Sequence, residues 1–294
     1  MPELRLFPAG GPRLHPAPEV PGFMAGGSED RLVEEIYDAL DRQEPETALA
    51  LARGALEGGD GEDPVLRFLA GVALLEMDHP EEAAEQLRRA SVLDPENAEF
   101  RSNLALALFR SCRFAEADAE AHRALLSEPG MPDAHVVVAL VFERAGRFHD
   151  ADEHLRRAEK LDPERFPNPV RLHRGAFREE AVRAGERLPE EFRRHLAQVA
   201  VTLEDLPSDE ILMDEDPPLD PELLGLFVGT PLPERSLSGS TGELPPRILL
   251  FQRNIERYAR DEVHLREEIA VTLYHELGHY LGLGEEELER IDLA

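Results

Sequence analysis

Pro95, Pro129 and Pro163 stand 34 residues apart, and the same interval links Ala83, Ala117 and Ala151, then Ala90, Ala124 and Ala158, and again Gly71, Ala105 and Ala139. A chain held to this period has to fold as stacked copies of one small unit. The small residues let two antiparallel helices approach closely, large apolar residues fill between them, and the proline stops the second helix before the next unit begins. Each unit is then a helical hairpin with an apolar face that stays open until a neighbour covers it, so several copies are needed. Three clear units fall near residues 64–97, 98–131 and 132–165. A divergent first unit covers about 30–62, where Pro45, Ala48 and Ala55 match Pro80, Ala83 and Ala90 with one extra residue in the spacing.

On these positions, residues 29–165 resemble tetratricopeptide repeats. The resemblance implies an all-α helical-hairpin solenoid whose concave surface recruits a peptide or protein partner. A structural spacer or dimerisation element is the other use of such a surface. Residues 1–28, rich in Pro and Gly without a sustained apolar period, are expected to be a flexible tail. The period ends after Pro163, and FPNPVRLHRGAF, residues 166–177, reads as a linker into a second domain over 178–294.

The length of 294 residues suits two domains, each with its own core. A formal net charge of -29 argues against nucleic acid, because phosphate binding depends on Lys and Arg displacing counterions. Partners with basic or neutral surfaces fit better. No apolar run reaches the length of a membrane span, and the first residues lack a secretory pattern. With a single cysteine, Cys112, the chain is expected in the reducing cytoplasm. Its oligomeric state is not legible.

The second domain has an α+β pattern. Glu179–Glu186 and Glu190–Ala197 read as helices and Val199–Leu203 as a strand. From Asp209 to Glu222 there are seven acidic residues, no basic one, and three prolines, which predicts a solvated loop; the EF-hand order of calcium ligands is absent. Thr230–Pro246 is a second loop-like stretch, Arg247–Phe251 a second strand, Asn254–Arg260 a helix, and Asp261–Leu281 a long helix.

That long helix carries the chemistry. His275 and His279 are four apart, which places both imidazoles on one face where they can grip one ion. Glu276 follows the first histidine, where the general base for a metal-activated water belongs. Leu265, Ile269, Leu273, Leu277 and Leu281 recur at intervals of four and form a separate apolar stripe, so packing and ligation use different faces. Gly282 stands where the helix should end in a left-handed turn, and Glu285 lies three residues further on. Nine residues follow Glu285, and Met213 is the last methionine, so a third ligand is expected nearby or upstream and a methionine turn is not. Among the local acids Glu285 is nearest the turn, with Glu286 its chief rival and Glu287, Glu289 and Asp292 further competitors. His122, His135, His149, His154, His173 and His195 show no ligand spacing and are read as surface residues.

The motif HExxHxxGxxE, with VAVTLEDLP, PELLGLFVG and PRILLFQRNIERY upstream, resembles the small zincin-like metallopeptidases of bacteria. This implies a minimal zincin fold, zinc (Zn2+) held by His275, His279 and Glu285, and Glu276 as the catalytic glutamate. Many members carry Asp where this chain has Glu285, which keeps Glu286 in play. The activity implied is peptide-bond hydrolysis, with a peptide or protein as substrate and the repeats recruiting it or a partner. In zincins an edge strand aligns the substrate; Arg247–Phe251 is the candidate, Val199–Leu203 the alternative. No oxyanion partner is assigned; Tyr280, Arg253 and His264 are the residues to consider. The competing reading is a non-enzymatic scaffold or adaptor whose zinc site is structural or degenerate.

Overall fold

The fold is known from a computed structural model that describes residues 28–58, 62–234, 245–284 and 287–288. The chain divides into two compact units at Pro167/Asn168.

The first unit is built of four helical hairpins. Helices α1 (Ser28–Asp41) and α2 (Pro45–Gly58) form the divergent one. The others are α3 (Pro64–Glu76) with α4 (Pro80–Leu93), α5 (Ala98–Arg110) with α6 (Phe114–Ser127), and α7 (Pro132–Arg144) with α8 (Phe148–Leu161). Every boundary in these three hairpins repeats at the sequence interval, including the positive φ of the turn residues Asp78, Cys112 and Gly146 at 58°, 56° and 71°. Asp63 and Asn97 cap α3 and α5 by accepting the N–H groups of Leu66 and Phe100 at 2.9 and 3.1 Å. The repeated alanines 83, 117 and 151 are fully buried, as are 90, 124 and 158, which is the close approach the period required. The histidines at the third hairpin's interface depart from the surface expectation, His154 being half-buried. His135 is buried at 7% exposure, because its position lies between the two helices of its hairpin rather than on the surface.

The second unit contains α9 (Arg174–Arg187), α10 (Glu190–Leu196), β1 (Ala200–Glu204), α11 (Asp209–Leu212), β2 (Gly225–Val228), β3 (Arg247–Phe251), α12 (Gln252–Tyr258) and α13 (Glu262–Leu281). The end of the stretch read as linker is already helical: α9 starts at Arg174, with His173 Nδ1 accepting the Gly175 N–H at 3.2 Å. The strands lie in the order β1-β3-β2, with β1 parallel and β2 antiparallel to β3.

Alternate residues of β3 serve two small cores. Ile248 and Leu250 join Phe177, Leu265, Ile269, Leu273 and Leu277 on the helix side. Leu249 and Phe251 face Leu223, Ile211 and Leu219 on the other. The acidic stretch expected to be a solvated loop therefore has a structural part as well. It turns Ile211 and Leu219 inward over the back of the sheet, and Leu212 is fully buried, while Met213 is exposed.

Polar groups fix the chain that enters β2. Asn254, 1% exposed, donates from Nδ2 to the carbonyls of Pro221 and Leu223 at 3.0 and 2.7 Å and accepts from Arg257 at 2.8 Å. Glu256, equally buried, accepts from the Leu172 N–H and Gln252 Nε2 at 2.9 and 2.7 Å and pairs with Arg171 at 3.2 Å. These bonds compensate the burial of an amide and a carboxylate.

Candidate active site

The site is organised by α13. Asp261 starts the helix by accepting the N–H groups of Val263 and His264 at 2.8 and 2.9 Å. Gly282 ends it with φ 83°, a left-handed conformation glycine adopts at no steric cost. There the Gly282 N–H donates to His279 O and the Leu283 N–H to Gly278 O, both at 3.0 Å, a Schellman closure. A Cβ on Gly282 would also lie 2.8 Å from the Pro233 ring.

Within this frame His275 Nε2 and His279 Nε2 converge to 3.0 Å. Burial, with the neighbouring His279, lowers the His275 pKa to about 4. Burial also lowers that of His279, opposed by a hydrogen bond with the Leu283 backbone. Both rings are thus neutral near pH 7, the state in which imidazole ligates a metal. Two nitrogens on one tetrahedral zinc, each at about 2.0–2.1 Å, stand about 3.3 Å apart, so this pair fits such an ion with a small adjustment. Glu276 is 1% exposed on the same turn. Glu285, like its rival Glu286, lies outside the described residues. Among the described residues no three His, Cys, Asp or Glu side chains converge on one point. Glu287 Oε2 accepts the Gly284 N–H at 3.1 Å and is engaged in its own turn.

The strand beside the site is β2. A Cβ on Gly225 would lie 2.7 Å from Thr272 Cγ2, 3.0 Å from Glu276 Cγ and 3.1 Å from its Oε1, so only glycine permits this approach of strand to helix. Two residues on, Phe227 packs against Tyr280 with ring centroids 5.8 Å apart. The Phe251 N–H donates to Leu224 O, and the antiparallel register continues from Gly225↔Leu250. Backbone groups of Leu226 and Val228 therefore bond inward to β3, while those of Gly225 and Phe227 point to the outer edge. This corrects the expectation for Arg247–Phe251, which is the central strand of the three described. The short run GLFV has no alternation of polar and apolar residues to mark it as a strand; its glycine before three large apolar residues was the one available signal.

Of the residues considered for an oxyanion, Tyr280 is fully buried with its hydroxyl 3.4 Å from Gln198 Oε1. His264 is paired with Glu268 at 2.9 Å, about 16 Å along the helix from His275 by the rise per residue. For Arg253, the backbone N–H donates to Asp205 O at 3.0 Å.

Comparison with known proteins agrees with this architecture. The zincin-like metallopeptidase family matches residues 196–294 and the tetratricopeptide repeat family residues 74–141. The chain thus carries tetratricopeptide repeats followed by a zincin-like metallopeptidase domain, of a family that normally binds zinc. No curated protein matches it. Among solved structures, MamA is 19% identical over 51% of this chain and 80% of its own, with a TM-score of 0.39. YrrB, described as a TPR protein with an unusual peptide-binding site, is 20% identical over 47% and 70%, with a TM-score of 0.41. Pseudomonas aeruginosa pilF is 23% identical over 46% and 61%, also at 0.41. No described helix is long and apolar enough to cross a membrane.

Proposed function

We propose that the C-terminal domain is a zinc-dependent peptidase, with His275 and His279 as two ligands, Glu285 as the third, and Glu276 as general base. The observation that carries this reading is the convergence of two neutral imidazole nitrogens at 3.0 Å with Glu276 packed against Gly225 of the edge strand β2. What zinc contributes when bound is Lewis acidity toward a carbonyl oxygen and toward water. The Glu276 carboxylate takes the proton of the attacking water and returns it to the departing amine, breaking the peptide bond. An extended substrate adds as a strand along β2, held by the outward N–H and C=O groups of Gly225 and Phe227. Its scissile bond is thereby kept next to Glu276. The repeats recruit the protein that is cut or a partner that delivers it, and the lone Cys112 fits a reducing cytoplasm.

The test combines metal analysis with cleavage of a reduced, unfolded protein. The native chain is expected to hold one zinc at this site and to cleave. Glu276→Gln should keep the zinc and lose cleavage by at least about 100-fold, the usual contribution of a general base. Zinc retained with no cleavage by the native chain, and unfolding on chelation, would make the site structural and the protein a scaffold.

A further inference from the structure

A polar pair bridges the two helices of each clear repeat at the same two positions. Arg67 Nη1 donates to Gln86 Oε1 at 2.7 Å, and Arg101 Nη1 to Glu120 Oε2 at 3.0 Å. In the third repeat these positions hold His135 and His154. The first two pairs join a cationic donor to an acceptor; the third brings together two groups of one kind. Their Nδ1 atoms stand 3.0 Å apart, the same separation as between His275 and His279 Nε2.

The surroundings of His135 set its tautomer. Nε2 lies 3.3 Å from the Pro129 carbonyl oxygen, which can only accept, so the proton belongs on Nε2 and the Nδ1 lone pair faces His154. A backbone carbonyl on the second ring nitrogen is how metal-binding imidazoles are commonly oriented. Burial holds His135 below its ordinary pKa and, with His135 and Arg157 adding, takes His154 to about 4. The nearest fixed positive charge, Arg157, is paired with Glu153. Phe142 meets the His154 ring edge-on at 5.4 Å and supports its orientation.

We propose that His135 and His154 form a second metal site, independent of the peptidase reading, that takes an imidazole-preferring divalent transition ion such as Cu2+, Ni2+ or Zn2+. With two protein ligands the remaining positions belong to solvent, so the site is weaker than one with three. An ion there ties α7 to α8 where the preceding repeats use Arg67–Gln86 and Arg101–Glu120. The third hairpin then becomes stiffer when metal is present.

The experiment titrates the full chain with Cu2+ and Zn2+, following stoichiometry, nitrogen hyperfine coupling in the Cu2+ spectrum, and the thermal midpoint. His275→Ala with His279→Ala is expected to retain one equivalent with imidazole coupling and a metal-dependent rise in midpoint. His135→Arg with His154→Glu, which installs the pair of the second repeat, should keep the helical circular dichroism and lose that equivalent. Should that exchange fail to fold, His154→Gln, which copies Gln86 of the first clear repeat, is expected to weaken the second equivalent at least tenfold. Absence of a second equivalent, or one unaffected by these changes at His135 and His154, overturns the proposal.

Discussion

Gly71 in the repeat unit and Gly278 in the C-terminal unit each sit under a leucine. A Cβ on Gly71 would lie 2.5 Å from Leu87 Cγ, and one on Gly278 would lie 2.1 Å from Leu288 Cδ2. Both leucines are fully buried. The contacts differ in what surrounds them. Gly71 has counterparts in Ala105 and Ala139, also fully buried between the helices of their hairpins, so its contact is one of a repeated set. Gly278 has no counterpart. It stands between the paired histidines, and Leu288 carries the chain just beyond the turn at Gly282. A repeated contact shares the work of holding a fold; a unique one places a particular residue, here Leu288 against the histidine-bearing turn of α13.

Gly278→Ala gives the larger expected effect. Alanine favours the helix by about 1 kcal/mol, but its methyl group must displace the buried side chain of Leu288. Zinc affinity, measured by chelator competition, should fall about 10–100-fold, as when a supporting contact of a metal site is lost. Leu288→Ala should weaken it too. The double variant should be no weaker than Leu288→Ala alone, because the new methyl group fills part of the space left by the leucine. Strict additivity would show that the two residues do not act through this contact.

The same contrast explains what was legible in the sequence. The hairpins could be placed almost to the residue, because each boundary is stated three times over. In the C-terminal unit α13, its end at Gly282 and the pairing of His275 with His279 were legible, since spacing along one helix is a local property. The position of β2 was not: Gly225 matters because of Thr272 and Glu276, about 50 residues later, and only the folded chain brings them together. The burial of Asn254 and Glu256 was not legible for the same reason, since they bond to backbone groups of distant loops. The pairing of His135 with His154 was missed, both being read as surface residues; the available signal was their place one period after Arg101 and Glu120.

Glu99 tests what happens where the repeat departs from its own pattern, Val65 and Asp133 being its equivalents. Burial pushes its carboxyl up to about 7, with Asp133 adding and Arg165 opposing. A group with a raised folded pKa stabilises fully below its unfolded value, near 4.5, and loses that contribution as pH rises through about 7. His154, lowered to about 4, runs the other way: its contribution is full above about 6.5 and is lost as pH falls toward 4. Glu99→Gln should therefore raise the urea stability of the repeat unit by about 2 kcal/mol at pH 8 and change little at pH 5. An equal gain at both pH values would mean that ionisation is not what the glutamate costs the fold.

Gly71→Ala is the smallest change and bears most directly on the comparison. Overpacking a filled core costs about 1–3 kcal/mol, and the helix regains about 1 kcal/mol from alanine. The net loss should be on the order of 1 kcal/mol in urea unfolding of the repeat unit, and Gly71→Ala should cost less when added to Leu87→Ala, whose vacated space accommodates the methyl group. Zinc affinity at His275 and His279 should not move, since this contact holds only its own hairpin. A shift in zinc affinity as large as that of Gly278→Ala would mean the two contacts are not separable, and the distinction between shared and positioning contacts would fail for this chain.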